Sequence, residues 1–61
     1  MASISAKELS AISDLLTMEE TVIAKYKAYA EATDDHALKD RYEQLAMRHQ
    51  RHFDELYVNL K

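Results

Sequence analysis

Neither glycine nor proline occurs anywhere in this 61-residue chain, and that absence constrains the fold more than any motif does. These two residues punctuate most chains into strands, turns and loops. A chain without them is built most simply from long helices and one short connection. No low-complexity tract or linker interrupts it, so a single all-α domain is expected.

So short a chain buries too little apolar surface to be comfortably stable alone. Scaffolds of this size usually add disulfides, a metal or a partner subunit. Cysteine is absent, which removes disulfides and thiolate zinc sites. A metal held by histidine and carboxylate, or self-association, remains. Eight Lys and Arg against eleven Asp and Glu give a net charge of -3, with both signs scattered along the chain, which argues against a nucleic-acid partner. The opening stretch MASISAKELSAI has no continuous apolar core and no basic leader. No run approaches the roughly 20 apolar residues that span a bilayer, so a soluble cytoplasmic protein with no membrane partner is expected.

Ser5-Ala-Lys-Glu8 reads as a capping box, with Ile4 and Leu9 spaced as a hydrophobic staple, and sets the start of a first helix over about 6–32. Along it Leu9, Ile12, Leu16, Glu19, Ile23, Tyr26 and Ala30 recur at steps of three and four, the seam of a helix packed lengthwise on another. The polar cluster Thr33-Asp34-Asp35 makes a turn over about 33–35, with Asp35 as the cap of a second helix over about 36–60. There Leu38, Tyr42, Leu45, His49, His52, Leu56 and Asn59 repeat the alternation. So short a connection makes the helices antiparallel neighbours, with residues equally far from the turn at one height. Position 19 then faces position 50. The polar members of the two seams, Glu19, His49 and His52, therefore meet at one level, and both imidazoles are expected to point into the seam.

A second apolar set, Ala11, Leu15, Met18, Val22 and Tyr29, lies beside the first seam, and Ala46, Phe53, Tyr57 and Leu60 lie beside the second. On a lone hairpin these form a patch of the size that marks an interaction surface. Pairing two hairpins about a two-fold axis buries them in a four-helix bundle, so a homodimer is expected. Docking on a different protein is the alternative.

The stretches LLTMEETVIAKYKAYAEATDD and LKDRYEQLAMRHQRHFDEL resemble a ferritin-like hairpin of the rubrerythrin type and the small families related to spore coat protein F. The resemblance covers nearly the whole chain and implies a ferritin-like four-helix bundle, with a spore-coat association as one setting. In that superfamily each half typically supplies a Glu followed seven residues later by Tyr, matched by Glu19 and Tyr26, and Glu-x-x-His from the second helix, matched at His52. His49 stands where that motif has Glu. The motif carboxylate bridges two metal ions, which a neutral imidazole does not do. A symmetric dimer offers two carboxylates where the family has four, which argues against di-iron peroxidase or ferroxidase chemistry.

What is left is one Glu and two His per chain, the donor set of mononuclear sites for zinc, iron and related divalent ions. Three protein ligands leave a position for water, but nothing else in the sequence resembles a catalytic partner, so metal binding is favoured over catalysis. The competing reading is a metal-free structural or interaction module in which Glu19 and the histidines form a polar layer that sets helix register. Tyr26 and Tyr42 face each other towards the turn and read as core, as do Met18 and Met47. His36 reads as a surface residue. Glu20 and Glu55 fall off the seam, although Glu55 reaches the site if the second helix is rotated.

Overall fold

The computed structural model describes residues 4–60, and among them it contains two helices and no strand. Helix α1 spans Ala6–Ala32 and α2 spans His36–Val58. They pack against each other as a hairpin. No helix among the described residues is long and apolar enough to cross a membrane.

The caps form as the sequence dictates. Ser5 Oγ accepts the Glu8 amide at 3.1 Å, and the Ser5 amide donates to Glu8 Oε1 at 3.4 Å, closing the capping box. At α2 the Asp35 carboxylate accepts the Leu38 amide at 3.1 Å. Between the helices the chain reverses with no residue at positive φ. Thr33 and Asp35 both adopt extended backbone, and Thr33 Oγ1 accepts the Asp35 amide at 3.1 Å. A side-chain hydrogen bond thus shapes a turn that in other chains is left to glycine.

Helix α2 ends two residues before the expected position 60. The Asn59 side-chain amide donates to the Glu55 carbonyl at 3.0 Å, and the Asn59 and Leu60 amides turn back to Leu56 and Tyr57 at 3.1 and 3.0 Å. Asparagine competes for the backbone acceptors and tightens the last turn.

On α1 the expected seam is the packed face. Leu16, Ile23 and Ala30 are buried, and Ile12, Glu19 and Tyr26 half-buried; Leu9, near the helix start, is exposed. On α2 the face is rotated from the expected one. Tyr42, Leu45, Ala46, His49, Phe53, Leu56 and Leu60 are buried or half-buried, whereas Leu38, His52 and Asn59 are exposed. Both sets run at steps of three and four and share Tyr42, Leu45, His49 and Leu56. Burying an aromatic ring and a leucine is worth more than burying an imidazole and an amide, so Phe53 and Leu60 turn inward and displace His52 and Asn59 to the margin. Met18 and Met47, expected as core, are exposed on the hairpin.

The two apolar sets beside the seams lie on opposite flanks and form no single patch. Phe53 lines a groove with Glu20, Ala24 and Lys27 of α1, and Ala46 lines one with Lys27 and Glu31. Those α1 residues follow the seam in helical rotation, whereas Met18, Val22 and Tyr29 precede it. One flank of the hairpin therefore carries the Ala46–Phe53 groove, and the other carries the α1 stripe.

Candidate metal centre

Glu19 sits in the middle of α1 on the packed face, with its side chain 15% exposed. A carboxylate this enclosed is costly unless polar partners meet it, and α2 supplies two. His49 Nδ1 lies 2.8 Å from Glu19 Oε1, with the imidazole 25% exposed. His52 Nδ1 lies 3.2 Å from Oε2, with its side chain 47% exposed. Each carboxylate oxygen thus meets its own ring. With the proton on Nδ1, His49 donates to Oε1.

The three predicted residues are brought together at one height, as the antiparallel register requires. His49 points into the seam. His52, expected there too, stands at the rim, because Phe53 takes the inward position, and it reaches Glu19 from the side. The rings of His49 and His52 are 5.3 Å apart and nearly perpendicular, so their nitrogens converge on the carboxylate without stacking on each other.

Tyr26 has a role beyond filling the core. It faces Tyr42 with ring centroids 6.1 Å apart, and it also stacks on His49 at 5.8 Å with planes 26° apart. Tyr29 extends the cluster, 5.4 Å from Tyr42. Two α1 side chains therefore fix the His49 ring: Glu19 through one nitrogen and Tyr26 through one face. The seven-residue spacing of Glu19 and Tyr26, two helical turns along one stripe, is the sequence signal that carries this contact. Glu55 and His36 are exposed and stand outside the cluster, and Glu20 faces the opposite flank.

Among the described residues Glu19, His49 and His52 form a group that can hold a metal, with ligand atoms all within 4.8 Å of one another. Around a tetrahedral zinc with bonds near 2.0–2.1 Å, donor atoms stand roughly 3.3 Å apart. The two imidazole–carboxylate contacts, 2.8 Å to Oε1 and 3.2 Å to Oε2, lie close to that spacing. One carboxylate and two imidazoles form a donor set of intermediate hardness, suited to zinc or ferrous iron and poorly suited to soft cuprous ions or to calcium. Bound metal takes the nitrogen lone pairs that protons otherwise occupy, so metal and proton compete for the same atoms.

Comparison with known proteins finds no matching family model, no matching curated protein and no matching solved structure.

Proposed function

We propose that this chain is a divalent-metal-binding protein that holds one zinc or ferrous ion through Glu19, His49 and His52 and assembles as a homodimeric, ferritin-like four-helix bundle. The observation that carries the reading is the convergence of two imidazoles on the two oxygens of one enclosed carboxylate, at 2.8 and 3.2 Å. A storage or sensing role fits better than turnover. Two grooves run along the Ala46–Phe53 flank, away from the rim where His52 meets water. The dimer is supported by the exposed apolar stripe on α1 and by a chain too short to enclose a full core.

One observation favours a second reading. Both oxygens of Glu19 are met directly by imidazole nitrogens, which also suits a metal-free polar layer that sets register in an interaction module of the spore-coat-associated type. Elemental analysis of the untagged protein separates the two. Metal binding predicts about one equivalent of zinc or iron per chain and a negligible amount in a His49→Ala, His52→Ala double variant. Equal, negligible content in both proteins, persisting after dialysis against zinc, supports the metal-free layer.

A further inference from the structure

Helix α1 keeps a second apolar stripe that α2 covers only in part, where Tyr42 touches Tyr29: Leu15, Met18 and Tyr29 are exposed, with Ala11 exposed and Val22 half-buried beside them. At about 100° of rotation per residue the stripe is centred roughly 90° round the helix from the face that packs on α2. That is the geometry of a helix at one corner of a square bundle, with one neighbour present and a second still to come. The hairpin exposes 5034 Å², whereas a compact monomer of 7.1 kDa exposes about 4,100 Å². The excess, roughly 900 Å², is close to what each partner contributes to a standard interface.

Resting on the dimeric reading above, we propose that a second copy of the chain covers this stripe, with the two α1 helices antiparallel about a two-fold axis near residue 20. The sequence is self-complementary in that register. Ala11 and Tyr29 lie nine residues either side of the axis, so a small side chain faces a large one. Met18 and Val22 lie two either side. Asp14 and Lys25, six before and five after, both stand on the outer edge of the stripe. A two-fold axis perpendicular to the helices keeps residues of one edge together, so Asp14 meets Lys25 of the partner subunit twice. Both are exposed, and neither has an ion-pair partner among the described residues. A parallel pairing would instead set Asp14 against Asp14. Laying the stripe on the other chain's α2 would set it against Arg41, Arg48 and His52, a polar face.

The axis falls at the height of the Glu19–His49 contact. The half-exposed rim of His52 lies on the same flank as the stripe, so the second copy closes the water-facing side of the metal site. Metal binding and dimerisation then reinforce each other.

Sedimentation of untagged protein tests the register. The wild-type chain is expected to be a dimer, Asp14→Lys and Lys25→Asp each to raise the dissociation constant by about tenfold, and the double swap to recover most of the loss. Because the chain has no cysteine, a mixture of Met18→Cys and Val22→Cys chains is also expected to form disulfide dimers faster on oxidation than either variant alone. A wild-type dimer indifferent to both reversals, or crosslinking equally in all three samples, overturns the register and leaves the dimeric reading standing. A wild-type monomer overturns both, while metal content measured on the same samples reports separately on the site.

Discussion

Zinc at about a hundred times its dissociation constant will stabilise the metal-free protein by about 2.7 kcal/mol, and the His49→Ala, His52→Ala double variant will show none of this gain. For a chain of this size that free energy raises the thermal midpoint by roughly 10 °C or more. The reasoning is mass action: an ion that binds only the folded state lowers its free energy, and its ligands are brought together from positions 30 and 33 residues apart in sequence, so the unfolded chain does not hold them in place. Protein concentration must be held constant, because association of the chain moves the midpoint by the same law. Both replaced side chains are polar, one half-buried and one exposed, so their removal leaves the apolar seam of Leu16, Ile23, Ala30 and Ala46 in place. The stabilisation also shrinks on acidification, since protons compete with the ion for the imidazole lone pairs. Thermal melts with and without zinc, monitored by helical circular dichroism, check the prediction. A midpoint shift of equal size in the double variant would place the responsible ion elsewhere.

The second large effect runs the other way. Replacing Glu19, His49 and His52 together with leucine is expected to raise the metal-free midpoint above that of the metal-free wild type and to abolish the response to zinc. Enclosed ionic groups substituted by apolar ones of similar volume are often neutral or stabilising by about 1–4 kcal/mol. Here the gain belongs at the lower end, because His52 is nearly half exposed and a leucine there stays partly in water. Removing Glu19 alone gives less, since it deprives both imidazoles of their acceptor. A triple variant that melts well below the metal-free wild type would overturn this expectation. It would also count against the metal-free reading, in which the layer only sets register and well-packed apolar residues replace it without loss.

Much of the fold is legible in the sequence because the signals are local. Ser5 with Glu8, and Asp35 alone, mark where the two helices begin, and the lack of glycine and proline leaves nothing to break them in between. The meeting of Glu19 with the two histidines is legible too, since an antiparallel hairpin fixes the height of every residue once the turn is placed. The rotation of α2 about its own axis is harder to read. Steps of three and four from His49 lead equally to His52 and Asn59 or to Phe53 and Leu60, and the choice is made by the desolvation of imidazole and amide against the burial of an aromatic ring and a leucine. The opposite placement of the two apolar flanks follows from helix handedness. In an antiparallel pair, residues that precede the seam on one helix share a flank with those that precede it on the other, and the α1 stripe precedes its seam while Ala46 and Phe53 follow theirs. The stacking of Tyr26 on His49 depends on side-chain reach along the seam, which spacing suggests and only coordinates display.

Crystals of the zinc-loaded protein, measured on both sides of the zinc absorption edge, test the central claim most directly. The account predicts one anomalous peak per chain, bonded at about 2.0–2.2 Å to a Glu19 oxygen and to one nitrogen each of His49 and His52. A zinc-soaked crystal with no peak at that position, and with the Glu19 carboxylate still held directly by His49, would contradict it.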